Sequence, residues 1–270
     1  MGQAQWSHSR LELLGRVSQS LNRMGHSLLD LLFPRRCAGC LNIWLSARQG
    51  FWCEQCLEQL PWIKSPLCAR CGRPFLKSSF PFDHWCGECL LKAPPFTSAR
   101  SAVQHCGPAR DRVNQLKFGA KLYWVPALTE LLVKTVKADL QLPVDYIVSV
   151  PLHNRRLRQR GFNQAALIAK ALGRSIRSSV RSDILIRGEW TQPQTRLSRQ
   201  ERLHNVKNAF RVTKPADVSG CRVLLVDDVF TTGSTVSECS KMLKKAGAEE
   251  VHVLTITRAL PEMNKGWENT

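Results

Sequence analysis

Asp227 and Asp228 close a run of four aliphatic residues, Val223-Leu224-Leu225-Val226, and a hydroxyl-rich stretch follows them, Thr231-Thr232-Gly233-Ser234-Thr235. Behind it Val236, Cys239, Met242, Leu243 and Ala246 recur at helical spacing, so a helix is expected over Val236–Ala246. A helix N-terminus carries unpaired N–H groups and a positive dipole end, which seat an anion such as phosphate. Gly233 lets the backbone approach that anion, and the hydroxyls add donors. Carboxylates beside a phosphate would repel it. Asp227 and Asp228 are therefore assigned to a polyol, accepting hydrogen bonds from vicinal hydroxyls one sugar ring away. The implied ligand is a ribose 5-phosphate, with Asp227, Asp228, Val229, Thr231, Thr232, Gly233, Ser234 and Thr235 around it.

The second chemically loaded stretch holds four Cys-x-x-Cys pairs: Cys37/Cys40, Cys53/Cys56, Cys68/Cys71 and Cys86/Cys89. Such knuckles, closed in twos, each supply one tetrahedral four-thiolate zinc site, and four thiolates leave no open position for substrate. Two structural Zn²⁺ ions are expected, replacing a core that so short a segment cannot build. Disulfides are the rival reading, but strict two-residue spacing in a chain without an export signal favours metal. Sequential pairing of the knuckles is expected ahead of an interleaved cross-brace. Trp44, Trp52, Trp62 and Trp85 are expected to pack over the metal sites, although exposed ones could stack on nucleic-acid bases.

These groups need elements to hold them. Val223–Val226, aliphatic without alternation, reads as a strand buried on both faces of a parallel sheet and ending at the two acids. Tyr146–Val150 is a second such strand. It runs into Pro151 and a loop with His153, Arg155, Arg156, Arg158 and Arg160, then an Ala/Leu-rich helix over Ala165–Leu172. In parallel sheets ligand loops gather at the carboxyl ends of strands, so the arginine loop and the acid-rich turn should face one crevice. Further strands are expected at Ser98–His105, Ile184–Ile186 and Val251–Ile256. Helices are expected over Ala109–Gly119 and Pro126–Leu140, joined by a basic loop at Lys117–Lys121. Gly188–Arg202 is long, polar and aperiodic, as functional loops are.

The string Val-Asp-Asp-Val-x-Thr-Thr-Gly-Ser-Thr resembles the phosphoribosyl pyrophosphate signature of type I phosphoribosyltransferases. Together with the four cysteine pairs, Arg160-Gly161-Phe162-Asn163-Gln164, Gln194-Thr195 and Arg202–Phe210, it makes the chain similar to the ComF/GntX family over roughly Leu28–Ala259. The resemblance implies an α/β fold of the type I phosphoribosyltransferase class preceded by a double zinc ribbon. It also implies Mg²⁺-bound phosphoribosyl pyrophosphate as ligand and a role in DNA uptake or utilisation. Within it, Asp227, Asp228 and Arg160 are the expected catalytic groups. His153, Arg155, Arg156 and Arg158 form the expected pyrophosphate loop, and Gln194, Arg196, Arg199 and Arg202 the expected lid.

The 270 residues are divided as a helical leader over 1–35, a double zinc ribbon over 36–95 up to Pro94-Pro95, and a phosphoribosyltransferase-like domain over 96–270. In the leader Leu11, Leu14, Val17, Leu21, Met24, Leu28, Leu31 and Leu32 make an amphipathic stripe that could meet a membrane surface, a partner or the adjoining domain. No apolar run is long enough to span a bilayer and no secretory signal is evident, so a cytoplasmic protein is expected. The formal charge is +18, with fifteen Lys or Arg against three acids between Pro151 and Lys214. That excess suits polyphosphate or nucleic acid. Expected partners are phosphoribosyl pyrophosphate, single-stranded DNA and DNA-uptake proteins such as a helicase. The main alternative to an enzyme is a non-catalytic single-stranded-DNA-binding factor. Nothing in the sequence names an acceptor.

Overall fold

The computed structural model describes residues 36–43, 50–75, 82–139, 143–188 and 209–260. The leader over 1–35 and Trp44 lie outside the described residues. The strands are β1 (Ser98–Gln104), β2 (Tyr146–Ser149), β3 (Ser179–Val180), β4 (Leu185–Arg187), β5 (Phe210–Val212), β6 (Arg222–Phe230) and β7 (Glu250–Arg258). Five form one sheet in the order β1-β7-β6-β2-β3, all parallel, and β4 pairs antiparallel with β5. The helices are α1 (Glu54–Gln59), α2 (Gly87–Leu91), α3 (Gly107–Gly119), α4 (Val125–Asp139), α5 (Asn154–Arg160), α6 (Gln164–Ile176) and α7 (Ser234–Lys245).

Successive strand residues point to opposite faces, and both faces of this sheet are covered. Leu224, Val226, Leu254 and Ile256 pack with α3, α4 and α6, whereas Val223, Leu225, Val251 and Val253 pack with α7, Phe210 and Phe96. Burial on both sides is why Val223–Val226 of β6 reads as an unbroken aliphatic run. Strand order reverses between β2 and β6, where a parallel sheet opens a crevice at its carboxyl edge.

Two expectations about this edge are corrected. First, β6 does not end at the acids. It continues to Phe230 because β7 pairs with its whole length, including Asp227 with Thr255 and Phe230 with Arg258. On the other side β2 stops pairing at Ser149–Val226, since Pro151 has no N–H to extend the ladder. Beyond Val226, β6 therefore has one open edge, and the acids lie on it. Second, the expected arginine loop is largely the helix α5. His153 Nδ1 accepts from Arg155 N at 3.1 Å and caps it, and Gly161 at φ 82° ends it. Lys117 likewise belongs to the last turn of α3, not to a loop, and that helix closes on Ala120 in the left-handed region.

The cysteine-rich segment is built against β1, the edge strand. Ile63 N donates to Ala102 O (3.0 Å), Ala99 N to Arg70 O (2.8 Å) and Gln104 N to Pro61 O (2.9 Å). Trp52 is buried in a core that joins α4 to Ala38 and to Cys56 of the first cysteine set, its Nε1 donating to Ala127 O at 2.9 Å. Trp62 also packs on that core, while Trp85 is exposed beneath the Arg70 guanidinium.

Candidate functional site

At the open edge of β6, consecutive acids lean to opposite sides. Asp228 is buried and fully engaged: Lys117 Nζ on α3 sits 2.8 Å from its Oδ1, and Gln164 Nε2 on α6 donates to its Oδ2 at 2.7 Å. Arg160 Nη1 donates in turn to Gln164 Oε1 at 2.5 Å. Asp227 accepts from the Asp228 N–H at 2.9 Å and feels Arg187 of β4. It opens partly onto the crevice but is otherwise enclosed by protein. Burial first, and the Asp228 charge second, push its carboxyl up to about 7, against the pull of Lys117, the Asp228 N–H and Arg187.

The turn after β6 enters α7 through Gly233 at φ 75°. Thr232 Oγ1 and Ser234 Oγ lie 2.6 Å apart and brace the turn from within. A Cβ at Gly233 would meet the Phe230 ring at 2.6 Å, so the position requires glycine on both steric and backbone grounds.

The acids and turn open on a cavity of about 830 Å³. Of the residues expected to form the site, Asp227, Asp228, Val229, Thr231 and Thr235 line it, with Arg156 and Arg160 from α5. Thr232, Gly233 and Ser234 shape the turn behind that surface. His153 caps α5, and Arg155 and Arg158 lie on the exposed side of that helix rather than among the lining residues. Gln194, Arg196, Arg199 and Arg202 lie outside the described residues.

Sequence reasoning missed His105, Asn114, Lys117, Gln164 and Arg187, all of which line the cavity. His105 Nδ1 lies 2.8 Å from Thr257 Oγ1, and burial, then the Lys117 charge, lower its pKa to about 4, so it is neutral at physiological pH. Only Lys117 and Gln164 carried a prior signal, as parts of a basic string and of the Arg160–Gln164 string. The others arrive from distant strands and helices.

The cysteines gather as two sets, Cys37, Cys40, Cys53 and Cys56, and Cys68, Cys71, Cys86 and Cys89, with the sulfurs of each set within 4.8 Å of one another. Pairing is thus sequential, and none is in a disulfide. Backbone N–H groups point at the sulfurs: Gly39 and Cys53 at Cys37 Sγ (3.3 and 3.2 Å), and Cys71 and Cys86 at Cys68 Sγ (3.4 and 3.3 Å). Burial pushes the Cys37 and Cys68 thiols up, but these N–H donors outweigh it and bring each to about 7. Burial and the crowding sulfurs push Cys56 and Cys89 up. Four thiolates at such spacing require a cation, and a tetrahedral four-sulfur set fits structural Zn²⁺.

Residues 28–90 match the double zinc ribbon domain family, and residues 159–265 match the phosphoribosyl transferase domain family. DNA utilization protein YhgH of Escherichia coli is 38% identical over 218 residues, spanning 78% of this chain and 92% of that protein. Competence protein F of Haemophilus influenzae is 34% identical over 234 residues, spanning 84% of this chain and 98% of its own. Among solved structures, adenine phosphoribosyl transferase of Trypanosoma brucei aligns at 13% identity and a TM-score of 0.34, covering 52% of this chain and 66% of that one. Two four-cysteine clusters, a parallel sheet with the acid-rich turn at its carboxyl edge, and near full-length relatives at this identity agree, and the chain belongs to the family of double-zinc-ribbon proteins with a phosphoribosyltransferase domain that includes DNA utilization protein YhgH and Competence protein F.

Proposed function

We propose that the cavity at the end of β6 binds phosphoribosyl pyrophosphate with Mg²⁺, and that the protein handles this sugar phosphate as a cytoplasmic factor in DNA uptake or utilisation. The carrying observation is one cavity lined by Asp227, Asp228, Thr231 and Thr235, from β6 and the turn that enters α7, together with Arg156 and Arg160 of α5. Thr231–Thr235 would hold the 5-phosphate and Asp227 the ribose hydroxyls, with Asp228 fixed beside it. Arg156 and Arg160 would stabilise the departing pyrophosphate while positive charge grows on the ribose ring.

Among the described residues, groups of three or more potential metal ligands occur only as the two cysteine sets, and both Asp228 oxygens are already engaged. The described residues thus offer Mg²⁺ no carboxylate cage, and the ion fits as one carried in by the diphosphate, whose charge it would neutralise. Titration calorimetry with phosphoribosyl pyrophosphate and Mg²⁺ tests this reading. Asp227→Asn should weaken binding tenfold or more, since hydrogen bonds to a charged group contribute about 1.5–3 kcal/mol. No heat from the parent protein would refute the site.

A second reading, DNA binding, is favoured by the exposed Arg155 and Arg158 and by a groove of about 420 Å³ lined by Lys170, Arg174 and Arg177. Single-stranded DNA tracking these cations should bind with an affinity that falls steeply with salt, at a log–log slope of about −0.7 per phosphate neutralised. A flat plot would remove this surface from consideration.

A further inference from the structure

Besides the backbone pairing with β1, each cysteine cluster receives a buried arginine from the α/β core. Arg112 of α3 reaches the first, donating to Ala38 O at 2.7 Å and Gly39 O at 3.3 Å while stacking 4.6 Å from the Trp124 ring. Arg258, the last residue of β7, reaches the second. Its Nη1 donates to Cys71 O at 2.6 Å, and its Nη2 lies 3.8 Å from Cys71 Sγ. A zinc ion with four thiolates carries a net negative charge, so a buried guanidinium in contact with it is electrostatically matched.

Arg258 also faces the other way. Its guanidinium lies 4.2 Å from the centre of the Phe230 ring, and its Nε has no hydrogen-bond partner. Phe230 is the β6 residue in register with Arg258, and Ala259 N donates to its carbonyl at 2.9 Å. The same ring is the surface on which Gly233 closes, leaving no room for a Cβ. Cys71, Arg258, Phe230 and Gly233 therefore make an unbroken line of contacts from the second cluster to the middle of the Thr231–Thr235 turn.

We propose that Arg258 is a positioning residue that makes the shape of the Thr231–Thr235 turn depend on the second four-cysteine cluster. The zinc ribbon then does more than cover a sheet edge, because it supports the element that receives the phosphate. The functional consequence rests on the reading of that turn as a sugar-phosphate seat, whereas the mechanical consequence does not.

The test uses the full chain and three measurements: zinc content, binding of ribose 5-phosphate, and amide hydrogen exchange resolved to the turn. Arg258→Met keeps the apolar stem and removes the donors to Cys71. It should keep zinc at both clusters, speed exchange at residues 231–234 about tenfold while leaving α6 unchanged, and weaken ribose 5-phosphate by a similar factor. Arg258→Lys, which cannot bridge carbonyl and ring as a planar fork, should fall between parent and Met. Unchanged exchange in the turn, or equal acceleration throughout the sheet, would overturn the proposal. Should Arg258→Met fail to fold, Phe230→Leu decides in the same way, with faster exchange in the turn and retained zinc as the supporting result. If exchange rises in the turn but the parent does not bind ribose 5-phosphate, the positioning role stands and the sugar-site reading falls.

Discussion

Asp227 and Asp228 are adjacent in sequence and differ in chemistry because a strand sends neighbours to opposite faces. Asp228 is buried with both oxygens engaged, so it is part of the scaffold as well as the site. Replacing Lys117 by Met leaves that carboxylate without its counter-ion, Gln164 remaining its one hydrogen-bond donor, and unfolding in urea should show a loss of about 3 kcal/mol. The double variant with Asp228→Asn should recover most of it, and failure to recover would mean the ion pair is not what Lys117 contributes. Asp227 differs in having its carboxyl raised from its ordinary 3.8 to about 7. Between those values the folded protein holds a proton that the unfolded chain releases, so this group favours folding at acid pH and loses that contribution as pH rises through about 7. Ligand binding runs the opposite way. If ribose hydroxyls donate to the carboxylate, binding expels the proton, and affinity should fall about tenfold per pH unit below the raised pKa and level off above it. The ligand phosphate titrates near 6 as well, so the difference between parent and Asp227→Asn carries the signal. Superposable profiles would take Asp227 out of the site.

At the scale of elements, the β6–turn–α7 unit was legible because its signals are local: four aliphatic residues, the acids, a glycine with positive φ and a helical pattern all lie in one short stretch. The end of β6 is not legible in the same way, because strand length is decided by β7, a partner whose contribution no local pattern reveals. Helix α5 is not legible locally, since its seven residues, rich in arginine, show no apolar stripe, and its cap is a histidine side chain. The cysteine spacing announced both metal clusters, but Arg112, Arg258 and Arg187 read as ordinary basic residues until the fold buries them. Gly233 carries the sharpest test at this scale. Gly233→Ala forces a Cβ into the Phe230 ring at a left-handed backbone position, and the left-handed penalty alone is about 1–2 kcal/mol. A denaturant midpoint shift of at least that size, with weaker ribose 5-phosphate binding, is expected. Unchanged stability would mean the turn has another conformation of equal energy.

At the scale of the whole molecule, the cysteine-rich segment and the α/β core share backbone pairing, a buried cluster and hydrogen bonds. A sheet edge with unpaired backbone groups invites association with other chains, and here the β1 edge is covered by the cysteine-rich segment through Ile63, Arg70 and Pro61. Trp52 and Leu60 belong to the same buried cluster as Leu128 and Ile168 of the helices, and the buried Arg112 and Arg258 take their carbonyl acceptors from the zinc ribbon. Contacts of this kind cross the boundary that Pro94-Pro95 suggests in the sequence, so the two parts are expected to unfold together. A chain starting at residue 96 would retain the sheet and the Thr231–Thr235 turn, yet it would expose β1, open the core where Trp52 sat, and strip Arg112 and Arg258 of their carbonyl acceptors. Each lost hydrogen bond costs about 0.5–1.5 kcal/mol, on top of the lost apolar burial and against a typical domain stability of about 5–15 kcal/mol. That fragment should therefore associate, seen as growth in light scattering, and lose its cooperative unfolding transition. The full chain should carry about two zinc ions and unfold in a single step that moves to lower denaturant when a chelator removes them. A monomeric fragment with a sharp transition near that of the parent would show that the zinc ribbon is an appended module, and the single-unit reading would fail with it.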